Sequence, residues 1–515
     1  MPSLLIRDAH LVPLEPAPAT APPAGSPAPP GAPGGGPVDV LVKDGRVTEV
    51  GPRLRRPDGV EEVAADGRWL MPGLWDQHTH LGQWTLNRER LDLSEARSPE
   101  DCLRLLADVL GEDAGDAPVV GFGHRPGGWY RRASTVELDE VVGDRVVVLI
   151  AGDAHHAWVS SAAMRALDIE WRDGVVAEND WFPAYARLDE LVGSDGTSPA
   201  AYRRSLEAAA ALGVVGVVDF EFSGGAQEWC ERWEAGCDLL RVRMATYADG
   251  LDTVIEAGLR TGDPLGRDPL LTMGPLKIIS DGSLNTRTAW CCEPYADAER
   301  VQHAHGAPNQ SGAELVALLT RARDHGLEVS THAIGDAAVT GALDAYEISR
   351  ARGSIEHAQL VLHRDVGRIA RLGLRASVQP AHLLDDRDLT ELVWPGQAER
   401  CFAFRWMLDA GARLVLGSDA PVSPLDPWLA MGAAVHRSAD LREPWHPEQA
   451  LTTLEALAAS TDGQGTVAVG SRGDLALLDA DPLEFEPDSA ASNGHLRGTS
   501  VALTVVDGRV THRAL

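Results

Sequence analysis

Residues 70–80 read Leu-Met-Pro-Gly-Leu-Trp-Asp-Gln-His-Thr-His, an apolar stretch that ends in two histidines separated by one residue. The pattern predicts a short strand. Positions i and i+2 of a strand face the same side, so His78 and His80 are expected to project together from one strand end. Two adjacent imidazoles can chelate a divalent transition metal. The alternative is a pair of structural histidines, so the hypothesis depends on whether the chain supplies further ligands.

The composition of the 515-residue chain is that of a globular protein with ample core material, since 44% of its residues are hydrophobic and 24% charged. A formal net charge of −30 opposes binding to nucleic acid or to an anionic membrane, because both are negative themselves. The six cysteines contain no Cys-x-x-Cys pair, which favours a reducing compartment. No signal peptide and no apolar run of membrane-spanning length is evident. We therefore expect a soluble, cytoplasmic protein.

Strand patterns at the two ends of the chain predict one small β domain, a β-sandwich built from residues 1–70 and 465–515. Residues 38–50 alternate around an Asp-Gly turn, and residues 501–511 repeat this hairpin signal. Residues 15–37 consist almost wholly of Pro, Ala and Gly, which predicts a flexible loop within this domain.

The middle of the chain, residues 71–464, alternates strand and helix patterns, which predicts an α/β fold of the (β/α)8 TIM-like barrel type. Helices are expected between the strands. Residues 84–200 exceed one β/α step and carry strand candidates of their own, so we expect an insertion over the barrel mouth. Catalytic groups of such barrels lie at the C-terminal strand ends. The eight strand candidates are the stretch 70–80 and residues 214–219, 240–246, 274–280, 327–332, 354–357, 375–378 and 414–418.

Several of these strands end in a side chain that can bind a metal. His332 and His357 each end a strand candidate, and Asp419 directly follows the last one. Lys277 lies among β-branched neighbours, where a lysine needs either a carboxylate partner or a chemical use. Asp336 follows a strand at a helix start and is expected to cap that helix. Each residue alone is more often structural than catalytic, and their shared position at strand ends is what predicts a site.

The order of these residues resembles the amidohydrolase superfamily: His-x-His after a Pro-Gly strand, then Lys, His, His and Gly-Ser-Asp. The chain is most similar to the branch that contains N-substituted formamide deformylases and YtcJ-like amidohydrolases (amidohydrolase family 3). It departs from that branch at Ala154 and Ser160, where Gly and Asn are common, and it has His156 next to His155. These departures leave the metal ligands intact. The matching phrases cover nearly the whole chain, at residues 121–129, 153–159, 277–289, 332–336, 355–357, 377–380, 417–421 and 473–479.

The resemblance implies a centre of one or two divalent metal ions per chain, with zinc as the default. A metal-activated water would attack the scissile carbonyl, and Asp419 would act as general base and then as general acid. Lys277 would be carboxylated on its amine and would bridge the two ions. The implied ligands are His78, His80 and Asp419 for the first ion, and His332 and His357 for the second, with Lys277 between them.

Further side chains are candidates for contact with substrate. His155, in the insertion, is expected to orient the substrate carbonyl, and a structural histidine is the alternative. Trp84, Trp129 and Trp158 are expected to form an aromatic wall, although tryptophans often simply build a core. Arg287 and His382 lie on loops after strands, where they can reach substrate.

The function predicted is hydrolysis of a non-peptide C–N bond in a linear amide, such as an N-substituted formamide. Hydrolysis of a cyclic amide or of an N-acyl amino acid on the same centre is the alternative. The two readings differ in whether the pocket offers a cation to a substrate carboxylate. A non-catalytic barrel scaffold is a remote alternative, because such a protein would lack ligands that are all present here. The expected partner is a small-molecule amide, and a homodimer is the default assembly.

Overall fold

The computed structural model divides the chain into two compact units, Met1–His80 with Leu206–Leu515, and Leu81–Ser205. None of the helices among the residues described here is both long and apolar enough to cross a membrane. The loop predicted at residues 15–37 lies almost wholly outside the described residues. The structure describes residues 3–14, 36–88, 90–112, 115–126, 129–152, 156–177, 180–185, 187–188, 191, 195–222, 225–301, 303–439, 442–484 and 490–515.

The strands are numbered in chain order. They are β1 (Ser3–Leu11), β2 (Val38–Lys43), β3 (Arg46–Gly51), β4 (Glu61–Ala64), β5 (Trp69–Pro72), β6 (Leu74–Thr79), β7 (Leu91–Asp92), β8 (Val119–His124), β9 (Val147–Ala151), β10 (His156–Val159), β11 (Val175–Ala177), β12 (Val214–Asp219), β13 (Arg241–Thr246), β14 (Leu271–Ile279), β15 (Val329–Ala333), β16 (Gly353–His357), β17 (Arg375–Val378), β18 (Arg413–Leu416), β19 (Leu475–Leu478), β20 (Val501–Val506) and β21 (Arg509–Arg513).

The helices follow the predicted alternation with the barrel strands. The α-helices span Leu81–Arg88, Pro99–Glu112, Thr135–Val142, Ser161–Ala166, Phe182–Tyr185, Pro199–Ala211, Ala226–Glu234, Leu251–Glu256, Gly312–Asp324, Asp336–Ser349, His363–Arg371, His382–Val393, Phe404–Asp409, Pro427–His436, Thr453–Ala459 and Ala490–Arg497. Short 3₁₀ turns span Asp195–Thr197, Ala298–Arg300, Ala398–Arg400 and Pro447–Gln449.

The first unit contains a small β domain built from both ends of the chain. Its sheet has the order β21-β20-β19-β5-β1-β2-β3, and β4 pairs with β1. Its core joins side chains that are far apart in sequence, among them Ile6, Leu70, Leu477 and Leu503. Their burial stabilises the pairing of the two chain ends, because removing apolar surface from water is the main favourable term in folding. The predicted domain from both termini is confirmed.

The first unit also contains the predicted barrel. Its sheet has the order β18-β17-β16-β15-β14-β13-β12-β6, and neighbouring strands along this order are parallel. A bridge between Thr79 and Ala420 brings the last strand back to the first and nearly closes the sheet. The (β/α)8 fold is confirmed, and the C-terminal ends of its strands meet at one face.

The stretch that carries the two histidines is not the single strand predicted from its apolar run. It breaks at Gly73, where β5 in the β-domain sheet gives way to β6 in the barrel. The Gly73 amide donates a hydrogen bond to the Asp474 carbonyl at 2.9 Å. A Cβ atom at this position would lie 2.1 Å from Cγ1 of Val215, so only glycine fits where the chain passes from one sheet to the other.

The second unit, Leu81–Ser205, has its own sheet in the order β11-β10-β9-β8-β7. β7, β8 and β9 run parallel, and β10 and β11 continue the sheet antiparallel. The strand candidates predicted within the insertion, residues 119–123 and 145–151, correspond to β8 and β9 to within two residues at each end. The predicted domain boundaries, and a position of residues 84–200 over the barrel mouth, stay predictions.

Candidate metal centre

Two neighbouring barrel strands bring His78, His80 and Asp419 together. Nε2 of each histidine lies 3.3 Å from Oδ1 of Asp419. The amide of Asp419 donates to the His78 carbonyl at 2.7 Å, which fixes β6 and the end of β18 against each other. Asp419 adopts a left-handed backbone with φ of 57°, a conformation that costs energy outside glycine and is found at functional sites.

Histidines from β15 and β16 complete the cluster. Ligand atoms of His78, His357 and Asp419 lie within 4.8 Å of one another, and all three residues are buried. The His357 ring centroid lies 5.0 Å from that of His78 and 4.5 Å from that of His332. Like Asp419, His357 has a left-handed backbone, with φ of 70°. Three imidazoles and a carboxylate are the donor types that zinc and similar ions bind.

Hydrogen bonds set which ring nitrogen of two of these histidines can bind a cation. Nδ1 of His78 lies 2.8 Å from Oε2 of Glu356 and donates a hydrogen bond to it. The lone pair of the ring is therefore on Nε2. Nε2 of His332 lies 3.2 Å from the Gly282 carbonyl, which can only accept, so the lone pair of His332 is on Nδ1. Both rings are therefore held in a tautomer suited to ligation.

Two further ring nitrogens of the histidines in this cluster are buried without a hydrogen-bond partner among the described residues. They are Nδ1 of His80 and Nδ1 of His357. A buried polar atom left unsatisfied costs about 1–3 kcal/mol, so such atoms in a native protein call for a ligand or a functional reason. The cluster could hold a divalent transition metal, and its donor chemistry fits one.

Burial keeps His78, His332 and His357 neutral, which is the form that binds metals. It lowers the pKa of His78 to about 4 and that of His332 to about 3, with Lys277 adding to both effects. Burial raises the pKa of Asp419, but the nearby histidines, His78 first, outweigh it and hold that pKa well below its usual value. At neutral pH these three imidazoles are therefore uncharged, and the carboxylate beside them is ionised.

Lys277 lies inside this cluster. Its Nζ is 3.1 Å from Nε2 of His78 and 4.1 Å from the ring centroid of Phe220. Burial lowers its pKa to about 8, which leaves part of the amine uncharged and nucleophilic near neutral pH. The amine thus lies beside the ring nitrogen of His78 that carries the lone pair.

Of the substrate-contact candidates, the structure places His382 beside the cluster. Its Nε2 lies 3.8 Å from Oδ2 of Asp419, and its ring centroid lies 6.0 Å from that of His357. Arg287 already has partners, since its guanidinium lies 3.2 Å from Asp297 and donates to the carbonyl of Asn285.

The remaining candidates belong to the second unit. Trp84 is buried with the Arg88 guanidinium 5.1 Å from its ring centroid, and Trp129 stacks on His124 at 5.2 Å. His155 lies outside the described residues. The roles predicted for these three residues in substrate binding stay predictions.

The predicted helix-capping role of Asp336 is wrong. Gly335 is the residue before the helix, and Asp336 is its first residue. The Asp336 carboxylate instead accepts from the Cys292 amide at 2.7 Å and pairs with Arg400 at 3.0 Å. The sequence could not show this, because both partners are distant along the chain.

Sequence reasoning assigned no role to two buried carboxylates that the structure places in the site. Glu356 holds His78, as described above. Asp76 accepts from the backbone amides of His78 and Ser418, at 3.0 Å and 2.9 Å, and so links the ends of β6 and β18. The available signal was their position, one residue before His357 and two residues before His78.

A polar cavity of about 320 Å³ lies within the barrel on the other side of Glu356. Hydroxyl groups of Ser354 and Ser330 continue from the Glu356 carboxylate into it. Arg375 and Arg413, the first residues of β17 and β18, also line the cavity, so it extends to the N-terminal strand ends. It is therefore separate from the C-terminal face on which substrate is expected.

The protein belongs to the class of (β/α)8-barrel enzymes. Such enzymes have their catalytic groups at the C-terminal strand ends, where this barrel has histidines, a lysine and an aspartate. Residues 61–512 match the model of the amidohydrolase family, and the chain belongs to that family. It is therefore a hydrolase of the amidohydrolase family.

Relatives agree with this assignment over almost the full length. The chain is 25% identical over 520 residues to YtcJ of Bacillus subtilis strain 168, whose name describes it as an amidohydrolase, with 92% of this chain and 95% of YtcJ covered. It is 26% identical over 552 residues to the N-substituted formamide deformylase of Arthrobacter pascens, with 91% and 94% covered. A crystal structure of an uncharacterized metal-dependent hydrolase from Pyrococcus horikoshii has the same fold. Its TM-score is 0.76 at 24% identity, with 96% of this chain and 99% of that chain covered.

Proposed function

We propose that this protein is a metal-dependent hydrolase that cleaves the non-peptide C–N bond of a linear amide, of the N-substituted formamide type. The observation that carries the proposal is the buried cluster of His78, His357 and Asp419, whose ligand atoms lie within 4.8 Å of one another. The similarity to an N-substituted formamide deformylase supports this choice of substrate class.

The proposed site holds one or two divalent ions, with zinc as the first candidate. When bound, such an ion lowers the pKa of water to about 7 and polarises a carbonyl. Lys277 is proposed to carry a carboxylate on its amine, because an unmodified ammonium 3.1 Å from a ligand nitrogen would repel a cation. The ligands proposed are His78, His80, His332, His357, Asp419 and the carboxylated Lys277.

Asp419 is proposed to move the proton. Its carboxylate is ionised at neutral pH and so can accept a proton from the attacking water. Because the same group lies at the mouth-facing end of β18, it can then deliver that proton to the leaving nitrogen. His382, 3.8 Å from Asp419, is proposed to contact the substrate.

The test is acid release from a panel of N-alkyl and N-aryl formamides, cyclic amides and N-acyl amino acids by zinc-supplemented protein. Asp419→Asn should lower turnover by about a hundredfold or more, because it removes the proton carrier. Asp344→Asn, an exposed aspartate on the helix Asp336–Ser349, is the matched control and should keep full activity.

Formate release by the wild type that the Asp419→Asn variant lacks would support the proposal. Activity confined to cyclic amides or N-acyl amino acids would favour the alternative substrates. Metal binding without hydrolysis of any amide would favour the scaffold. The cytoplasmic location and the homodimer stay predictions.

A further inference from the structure

An exposed aromatic ring lies beside the proposed centre. Phe222 follows β12, the barrel strand that pairs with β6, and 57% of it is exposed. Single exposed apolar residues are ordinary. Phe222 is distinguished by its neighbour, because its ring stacks on that of His80 at a centroid distance of 5.0 Å and an angle of 23°. The exposed ring is thus in contact with a residue that itself lies 3.3 Å from Asp419.

The ring of Phe222 is also supported from a second side. Tyr247, which follows β13, lies 5.3 Å from it at an angle of 30°. The Tyr247 hydroxyl donates to the Phe220 carbonyl at 2.7 Å, and the Phe220 amide donates to the Thr79 carbonyl at 2.7 Å. These contacts hold the exposed ring in place before any ligand arrives, which reduces the entropy cost of binding.

The charges around this aromatic pair are acidic. Burial is the largest cause of the raised pKa of Tyr247. The nearby carboxylates of Glu221, Asp219, Asp419 and Asp249 raise this pKa further. Asp419 is a proposed metal ligand whose charge a bound ion would offset, but a substrate carboxylate beside this aromatic pair would still meet the charges of Glu221, Asp219 and Asp249. The surroundings therefore favour a ligand without negative charge.

A second exposed apolar side chain flanks the histidine strand on its other side. Val422, which is 60% exposed, follows β18, and its amide donates to the Asp419 carbonyl at 2.9 Å. In the barrel, β6 lies between β12 and β18. Apolar groups therefore border the candidate centre on both flanks of His80.

We propose that Phe222 is the specificity-determining platform against whose exposed edge the substrate's substituent packs, and that the substrate is an amide with an uncharged apolar N-substituent and no carboxylate. This rests on the proposed function, because it takes His80 and Asp419 as the reacting centre. This contact removes the exposed edge of the ring from water and places the substituent beside the groups that would act on the carbonyl.

The test compares two substrates that differ only by a carboxylate, N-(2-phenylethyl)formamide and N-formylphenylalanine. The wild type should prefer the first by about tenfold or more in kcat/KM. Phe222→Ala should raise KM for it about tenfold through the lost apolar contact, and Phe222→Leu should retain most of the affinity, because leucine keeps much of that apolar surface. N-methylformamide has no phenyl group to pack against Phe222. Wild type and Phe222→Ala should therefore turn it over equally. Ile348→Ala is the control, because Ile348 is 67% exposed near the end of the helix Asp336–Ser349 and away from the strand ends.

Direct binding separates this inference from the proposed function. Calorimetric titration of zinc-loaded protein with N-(2-phenylethyl)formamide should show a Kd that Phe222→Ala raises about tenfold and Ile348→Ala leaves unchanged. That result without hydrolysis would support the platform and refute the hydrolase. Equal Kd and KM for wild type and Phe222→Ala, or a preference for N-formylphenylalanine, would overturn the inference.

Discussion

Glu356 and His78 form a buried pair between strands that lie on different sides of the barrel. The Glu356 carboxylate accepts from Nδ1 of His78 and from the Ser354 hydroxyl. Burial raises the pKa of Glu356, but the bond from His78 and the charge of Lys277 outweigh it and lower that pKa to about 2. An ionised carboxylate behind a ligand histidine fixes the ring and increases its basicity.

Replacing Glu356 should therefore weaken metal binding more than it disturbs the fold. We expect Glu356→Gln to raise the Kd for zinc about 10–100-fold, because the amide keeps the hydrogen bond but loses the charge. Competition with a chromogenic chelator measures this. Glu328→Gln is the control, since Glu328 pairs with Arg375 at the opposite end of the strands. An unchanged zinc affinity in Glu356→Gln would show that the pair is only structural.

The sequence predicted the candidate ligands but not the side chains that contact them, and the reason is physical. His78, His357 and Asp419 were predicted because strand periodicity and the barrel architecture place strand ends together. Glu356 is 278 residues from His78, and local spacing contains no information on which side chains meet across a barrel. Phe222 follows a strand that was predicted correctly, but its exposure and its contact with His80 depend on packing.

At the scale of elements, the junction at Gly73 decides how two sheets share one stretch of chain. A side chain there would overlap Val215 of β12. We expect Gly73→Ala to lower the free energy of unfolding by about 1–3 kcal/mol, the usual cost of overpacking a tight site. Urea denaturation monitored by fluorescence measures the change.

A double variant tests whether overlap with Val215 causes this loss of stability. Adding Val215→Ala removes the two Cγ atoms that lie closest to the new methyl group, at 2.1 Å and 2.7 Å, and should recover part of the loss. If Gly73→Ala is as stable as the wild type, the close approach of β6 and β12 is not tight.

Element boundaries were predictable where one periodic pattern corresponds to one element. β12 and β17 coincide with their predicted ranges, because short apolar runs between turns are typical of buried parallel strands. The prediction of a single strand for residues 70–80 was wrong, because an apolar run does not show where the chain passes from one sheet to another. The capping prediction for Asp336 was wrong, because its carboxylate contacts Cys292 and Arg400, which are distant in sequence, and does not cap the helix.

At the scale of the whole molecule, Asp462 links the base of the barrel to the segment that leads into the β domain. Its carboxylate pairs with Arg243 of β13 at 2.7 Å and with Arg472 at 3.0 Å, and Gln77 donates to it at 3.2 Å. Burial raises the pKa of Asp462, but the two arginines outweigh burial and lower it to about 2.

The pH dependence of this link has a definite sign. The folded pKa of about 2 lies below the ordinary value of 3.8, so the stabilisation is complete above pH 3.8 and is lost as pH falls towards 2. We expect Asp462→Asn to lower the free energy of unfolding by about 2 kcal/mol at pH 7, since both arginines are partly exposed. The difference from wild type should shrink at pH 3. Urea titrations at pH 7, 5 and 3 measure it, and a difference independent of pH would contradict the assignment.

The central claim, that the strand ends of this barrel form a metal centre, is tested most directly by anomalous diffraction at the zinc edge from crystals of zinc-supplemented protein. We expect a peak about 2.0–2.2 Å from ligand atoms of His78, His357 and Asp419, with oxygen density extending from Nζ of Lys277. A protein that hydrolyses amides while its crystals show no peak at these residues would contradict it.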